Sequence, residues 1–467
     1  MRAISLPVDS TDGVYARNGA AERYGYIQLP PRLNTQMSIS DTFRGLLANL
    51  AVTNGDTISL RYGEITCALN QEFRDTDSKT ANSLQVGSYG RWTAIDGISD
   101  LDMLYIVPAG SWDTYKDGGQ YKLLSKTCEA IKSRYPKTDV FVDRLVVRVL
   151  YKDFHIEVQP VFEDADGHFL YPDTKDGGSW KTTKPRPEMA AMSEFGDQKN
   201  KNLRRLCKMV RAWKNKHGVA MGGLLIDTLA YNFLKQTDVY ATTSYARYHE
   251  MGRDFFEYIG GLADQDRYAA LGSGQHVRVK KKFQRKAKKA CELCEAAIAA
   301  EGNANEYKKW RKVFGRAFPA PEVEVAKAFV AEAGHQARDT EEFIEDRHPV
   351  DIRYHLKLDC QVSQDGFQTH RLVEMLLRNW PLRPKKELRF EVVDHNLPAG
   401  FVLYWKVLNR GPEAVKRDCV RGQIAPDAGQ HQKSESTDFR GDHVVEAYAV
   451  LNGVVVAKDR IHVPIQE

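Results

Sequence analysis

Asp100 and Asp102 stand two residues apart at the head of the apolar run Leu101–Val107. On a strand, residues i and i+2 share a face, so both carboxylates point one way while Leu101 and Met103 point the other. Beyond Met103 both faces are apolar, with Leu104 and Ile106 on the acid face and Tyr105 and Val107 opposite. That is the pattern of a buried strand with a charged leading end. Two strand rises separate the charges by about 6.6 Å, and at an effective dielectric of about 20 they repel by roughly 2–3 kcal/mol. A divalent cation reverses that penalty. An isolated Asp-x-Asp is more often a pair of solvated acids at a strand end, but a third acid accompanies this one. Glu157 alternates with Phe154, Ile156 and Val158 in the run Phe154–Phe162, so its side chain can face the same side of a sheet as the pair. Three hard oxygen donors suit Mg²⁺, which is usually held by a few carboxylates and substrate phosphates. Upstream, the strand-like Ser83–Val86 ends in Gly87-Ser88. Glycine lets a backbone approach closely and a serine hydroxyl can hold a phosphate, although a plain turn accounts for the dipeptide equally well.

Other chemistries lack their residues. There is no GxxxxGK[ST], HExxH, GxSxG or GxGxxG motif, which removes the P-loop, zincin, hydrolase-elbow and dinucleotide readings. Cys291 and Cys294 form the only CxxC; without a second pair it is a weak metal or redox signal. Seven widely spread cysteines argue for free thiols and a reducing, cytoplasmic setting. No stretch reaches the ~18–20 apolar residues of a membrane helix. The longest candidate, from Val219 to Leu234, is interrupted by Asp227 and Asn232. A membrane partner is not expected.

The chain has 467 residues, 42% hydrophobic and 28% charged, which excludes disordered and fibrous classes and suggests about three structural units. Its net charge of +5 conceals a segregation. Residues 199–216 and 278–289 each hold eight basic side chains and no acid, leaving −11 for the rest. Such runs usually form solvated helix faces, yet they can also attract polyphosphates or bind nucleic acid without sequence preference.

The periodicity that must position the acids divides the chain. Residues 1–37 form a turn-rich N-terminal arm. Over 38–196, two helices opening at Ser40 and Asp56 precede strands at Ser83–Val86, Leu101–Val107, Val140–Leu150 and Phe154–Phe162, with a helix from Tyr121 to Arg134 among them. Residues 197–320 read as helical, including a very basic helix that runs into the alanine-rich stretch Ala287–Ala300. A connector over 321–344 leads to a β-rich domain over 345–467, with Asn452-Gly453 as a hairpin turn. The fold class is α+β.

The run Gly87-Ser88-Tyr89-Gly90-Arg91-Trp92, then Ser99-Asp100-Leu101-Asp102, then the Glu157 strand resembles the polymerase-β-like nucleotidyltransferases. More narrowly it is similar to the CD-NTases, the bacterial relatives of cyclic GMP-AMP synthase in anti-phage (CBASS) signalling. Tyr171-Pro172-Asp173, Trp180-Lys181-Thr182, Leu203–Lys214, Gly223-Leu224-Leu225-Ile226 and Trp310–Pro319 extend the likeness over about residues 38–320. It implies a nucleotidyltransferase core with a mixed sheet, followed by a helical second lobe. Asp100, Asp102 and Glu157 would be catalytic ligands of two Mg²⁺ ions, with Mn²⁺ as an alternative, and Gly87, Ser88 and Lys208 would hold the donor triphosphate. Tyr171 and Trp180 are candidates for base stacking. Two departures stand out: Glu157 occupies a position more often aspartate, and Met221-Gly222-Gly223 replaces a phosphate-contacting serine. The terminal domain, through Tyr404–Glu413, Phe439–His443 and Ala457–Arg460, resembles a β-sandwich-like C-terminal sensor. Trp405, Arg440 and His443 are its candidate ligand residues, with core packing favoured for Trp405. The implied function is Mg²⁺-dependent condensation of NTPs, ATP among them, into a cyclic oligonucleotide messenger, under a regulatory ligand of the C-terminal domain. Its rivals are template-independent addition of nucleotides to RNA, which would use the basic runs on a nucleic acid, and a noncatalytic nucleotide-binding sensor.

Overall fold

The computed structural model describes residues 37–97, 100–152, 154–321, 341–364, 368–409, 412–417 and 421–466. The N-terminal arm up to residue 36, most of the connector, and Ser99, Arg410, Gly411 and Cys419 lie outside the described residues.

Helix α1 (Ile39–Asn49) begins one residue before the expected Ser40, because Ser38 caps it: the Ser38 hydroxyl accepts the Asp41 N–H at 3.1 Å. Helix α2 (Gly55–Arg74) follows, then β1 (Ser83–Gln85), the one-turn α3 (Gly87–Gly90) and β2 (Asp100–Ile106). Next come α4 (Trp112–Tyr115), α5 (Gln120–Arg134), β3 (Asp139–Asp143), β4 (Val146–Leu150), β5 (His155–Glu163), β6 (Phe169–Asp173) and β7 (Ser179–Thr183). The run Val140–Leu150, read as one strand, is a hairpin broken at Arg144, whose φ of 46° turns the chain. The sheet runs β1-β2-β5-β4-β3, with β6 and β7 continuing from β5. Only β2 and β5 pair in parallel, so the sheet is mixed.

Alternation along β2 and β5 separates core from site. Leu101, Met103, Tyr105, Ile156 and Val158 are buried with Ile58, Ile65 and Leu69 of α2 and Leu123, Leu124 and Ile131 of α5. Asp100, Asp102 and Glu157 occupy the opposite face of their strands. Past the acids on that face, Leu104 packs with Val86, Val161 and Phe169.

The second lobe comprises α6 (Pro185–Gln198), α7 (Asn202–His217), α8 (Gly223–Lys235), α9 (Tyr248–Gly261), α10 (Gln284–Ile298) and α11 (Glu306–Phe314). Helices begin before residue 197, and α1 contributes Phe43, Leu46 and Leu50 to this lobe's core beside Trp213 and Trp310. Ala287, Ala290 and Ala297 are fully buried, and these small side chains let α10 lie close to α9. The basic run is not helical throughout. Its first residues form β9 (His276–Arg278), which pairs with β8 (Arg267–Ala269), and a loop, and α10 starts only at Gln284. A helix opening on Lys280, Lys281 and Lys282 would set three cations against the positive end of its own dipole.

The terminal domain is a sandwich of two four-stranded antiparallel sheets. One orders β11 (His370–Arg371), β10 (Leu356–Ser363), β12 (Glu387–His395) and β15 (Gln432–Ser436); the other orders β14 (Ile424–Pro426), β13 (Val402–Leu408), β16 (Gly441–Leu451) and β17 (Val454–Ile465). Leu358, Cys360 and Phe390 of the first sheet share a core with Leu403, Trp405, Ala447 and Val463 of the second. Asn452 and Gly453, at φ 50° and 79°, make the β16–β17 turn. Among the described residues, no helix is long and apolar enough to cross a membrane.

Candidate active site

Parallel register sets Asp102 of β2 directly beside Glu157 of β5, and Asp100 beside His155. The ligand oxygens of Asp100, Asp102 and Glu157 all lie within 4.8 Å of one another. Gly87 explains how the Gly87-Ser88 loop reaches them. At φ +64°, it lies so close that an added Cβ would fall 1.8 Å from Asp102 Oδ2. Glycine is required there both by conformation and by space. Gly90 is confined similarly, its absent Cβ lying 2.3 Å from the Gln85 carbonyl oxygen. The Val86 N–H donates to the Asp102 carbonyl at 2.9 Å, tying the loop to the acid strand.

Gly87, Ser88, Asp100 and Asp102 line a cavity of about 240 Å³. Further walls come from four distant segments: Arg211, Lys214 and Asn215 of α7; Met221 to Leu224 at the start of α8; Lys280; and Val350, Asp351 and Arg353. The N-terminal end of α8 carries no side-chain cap, so free backbone N–H groups and the helix dipole border the cavity where the family's serine is missing. Both basic runs contribute, through Arg211 and Lys214 of the first and Lys280 of the second. Lys208, expected on the triphosphate, is not among the lining residues; the α7 cations that are lie farther along the helix. Tyr171 and Trp180 also lie elsewhere. Trp180 packs tilted against Trp112 and edge-on against Phe162 and donates its Nε1–H to the Lys116 carbonyl, and Tyr171 packs against the Val86 cluster.

Asp227, which interrupts the apolar stretch before Leu234, proves to be the buried counter-ion of the cavity wall. It is fully buried and accepts Arg211 Nη1 at 2.7 Å, Arg211 Nη2 at 3.0 Å, Arg91 Nε at 2.9 Å and Thr93 Oγ1 at 3.3 Å. Burial alone would raise its carboxyl, but the two arginines hold it below the ordinary range. One carboxylate thus fixes two cavity-lining guanidiniums from different segments. An aspartate inside an apolar helix is the sequence signal for such a partner, though the partners themselves cannot be read from it.

The charge balance of the triad is unusual. Burial first, then the Asp100 and Glu157 carboxylates, hold the Asp102 carboxyl well above the ordinary range. Glu157 is half-buried and desolvation would raise it, yet His155 at 3.4 Å, Arg353 at 3.9 Å and Arg148 at 3.0 Å bring its carboxyl down to about 2. Arg353, from the terminal domain, forms an ion pair with Asp100 and donates Nε to Asp351 at 2.5 Å. Asp351 in turn takes Lys214 of α7. Three clustered carboxylates, one of them resisting ionisation and a guanidinium laid against two, form a hard-oxygen donor set that fits divalent cations.

In the terminal domain, Trp405 is core: it is 2% exposed and donates its indole N–H to Asp427 at 2.8 Å. His443 and Phe439 line a small cavity of about 60 Å³ to which Trp405 and Arg440 do not contribute. The six described cysteines are free thiols, and no acid–histidine–cysteine cluster with metal-binding geometry among the described residues includes one.

Residues 37–195 match the family model of the Second Messenger Oligonucleotide or Dinucleotide Synthetase domain, and residues 338–466 that of the Adenylyl/Guanylyl and SMODS C-terminal sensor domain. Among solved structures, the chain is similar to E. coli MS115-1 CdnC in its complex with HORMA-deltaN, at 15% identity over 60% of this chain and 98% of that one, with TM-score 0.47. Apo Vibrio cholerae DncV gives 13% identity over 52% and 70% of the two chains, with TM-score 0.42. Rhodothermus marinus CdnE c-UMP-AMP synthase gives 14% identity over 56% and 97%, also with TM-score 0.42. A search of curated proteins finds no match. With a synthetase domain holding the acid triad and a sensor domain closing its cavity, the chain belongs to the CD-NTase family and is a nucleotidyltransferase.

Proposed function

We propose that this protein condenses nucleoside triphosphates, ATP among them, into a cyclic oligonucleotide messenger in a Mg²⁺-dependent, cytoplasmic anti-phage system. The observation that carries the reading is the meeting of Asp100, Asp102 and Glu157 with Gly87-Ser88 in one cavity. Asp100, Asp102 and Glu157 would hold two divalent cations, whose chemistry is to activate the attacking ribose hydroxyl and neutralise the triphosphate and leaving pyrophosphate. Gly87-Ser88 and the start of α8 offer backbone N–H groups to the donor phosphates, and Arg211, Lys214 and Lys280 supply positive charge around them. Asp227 holds Arg91 and Arg211 in place, so their orientation costs no reorganisation during the reaction.

The arrangement also links the sensor to catalysis. Arg353 lies on two of the three carboxylates, so it must give way as cations and triphosphate enter. The contact therefore belongs to a resting state that the sensor domain imposes.

Incubating the purified protein with all four NTPs and Mg²⁺ or Mn²⁺ tests the reading. Small phosphatase-resistant products are expected, and their loss in Asp102→Ala without loss of fold ties them to the triad. Extension of an added RNA with no small product would instead make it an RNA nucleotidyltransferase.

A further inference from the structure

A second charged cavity, of about 210 Å³, lies at the joint between the helical lobe and the sensor sandwich. It is lined by Lys216 and His217 from the end of α7, Lys286 and Lys289 of α10, and Lys458 and Arg460 of β17. Only two carboxylates share the lining, and both are engaged. Asp459 accepts the Leu358 N–H at 2.9 Å; Glu446 accepts the Tyr448 hydroxyl at 2.6 Å and lies 3.8 Å from Lys406. Lys289 has an exposed partner, Glu292, at 2.7 Å, and Lys458 has Glu345 only at 3.9 Å. Lys216 and Arg460 make no ion pair among the described residues. Burial first, then the surrounding cations, push Lys216 and Lys286 toward their neutral forms, Lys458 to about 8 and His217 to about 3.

The walls are firmly built. Gly218 lies against the backbone of Lys458, an added Cβ meeting its carbonyl oxygen at 2.3 Å. Lys286 Nζ donates to the His217 and Gly218 carbonyls at 2.8 and 2.9 Å, closing the end of α7. Like charges have thus been brought together from two domains on a rigid frame, with fewer carboxylates than cations in the lining.

We propose that this joint is a binding site for an oligophosphate group. Converging cations of this kind form charge-assisted hydrogen bonds to phosphate oxygens. The volume is below the ~300–1,000 Å³ of pockets for drug-sized ligands, so phosphates enter while an attached nucleoside stays outside. The site sits on the strand that positions the sensor's arginine: the Asp351 N–H donates to the Val455 carbonyl, and the Arg353 and Tyr354 N–H groups to the Val456 carbonyl, two residues before Lys458. Binding here does not depend on the synthase reading; a regulatory consequence does.

The probe is inorganic tripolyphosphate, titrated calorimetrically into the full-length protein in chelator, with ATP and an RNA oligonucleotide lacking a 5′ phosphate as parallel ligands. Tripolyphosphate and ATP should bind one class of site equally. The Lys216→Gln/Arg460→Gln double variant should lose at least about tenfold in that affinity, the worth of one charge-assisted contact. It should keep the parent melting temperature without ligand. Lys280→Gln, which neutralises an active-site cation instead, should leave this class intact. The proposal is overturned if the double variant binds unchanged while Lys280→Gln does not, if the parent binds no tripolyphosphate at millimolar concentration, or if the unphosphorylated RNA binds as tightly.

Discussion

The acid triad and the cationic joint are the same electrostatic problem with opposite signs and opposite solutions. In each, like charges from separate elements meet in a recessed space. At the triad, Arg353 of the sensor domain is placed against Asp100 and Glu157, so the repulsion is largely answered from within the chain. At the joint, Lys216 and Arg460 receive no such ion pair, and burial, helped by the neighbouring cations, holds Lys216 and Lys458 below the ordinary lysine range. A self-neutralised cluster must release an internal ion before it takes up an external one. A cluster left unneutralised is already prepared for its ligand. The two regions therefore differ in readiness.

The largest change expected is in Asp102→Asn, which keeps shape but removes the central carboxylate of the proposed metal site. Product formation should fall by about 10²–10³-fold or more. The fold should be retained or slightly stabilised, since Asp102 is the carboxyl that burial and its neighbours already push toward neutrality. Activity assays paired with thermal melts check both halves. Asp227→Asn should act on stability, costing about 3–5 kcal/mol in denaturant unfolding, because Arg91 and Arg211 would be left buried with half their counter-charge gone. A loss below 1 kcal/mol would mean that water reaches these arginines and that the wall is not held as described.

Arg353→Ala probes the self-neutralised half of the comparison. Mn²⁺ binding, followed by electron paramagnetic resonance, should tighten by about tenfold, the worth of one charge-assisted contact removed from competition. Unchanged affinity would show that the arginine does not compete with cations. The smallest effect belongs to the joint. Lys458 is depressed in the fold from 10.5 to about 8, surrounded by Lys216 and His217 of α7, Lys286 and Lys289 of α10, Arg460, and the carboxylates of Glu345 and Glu446. Between those two values the unfolded chain binds more protons than the folded one, so stability should rise as pH increases from about 8 toward 10.5. The gain is of order 1 kcal/mol, and Lys458→Met should flatten the rise.

Much of the site was legible because it rests on local periodicity. The two-residue spacing of Asp100 and Asp102 and the alternation around Glu157 require only that the segments be strands, and parallel register then brings the three acids together. Gly87 was legible as a place of close approach, while the atom it approaches, Asp102 Oδ2, was not. The expectation resting on helix position was less legible. Lys208 lies outside the cavity that Arg211 and Lys214 line, because the rotation of α7 about its axis is set by the packing of Leu206, Val210 and Trp213 in the lobe core. The base-stacking candidates Tyr171 and Trp180 were drawn into apolar clusters for the same reason.

The sequence by itself determined the chemistry: which residues carry charge, which alternate onto one face, and where a glycine must bend the chain. These are properties of neighbours in the chain, and backbone stereochemistry converts them directly into geometry. Only the tertiary structure decided how the charges are answered. Asp227 reaching Arg91, Arg353 reaching Asp100, and Lys458 facing Lys216 are contacts across more than a hundred residues, set by how three cores pack against one another. Net charge is blind to this. A chain of +5 overall can place a cation on its acids and leave its bases waiting, because electrostatic energy depends on distance and burial, neither of which composition records.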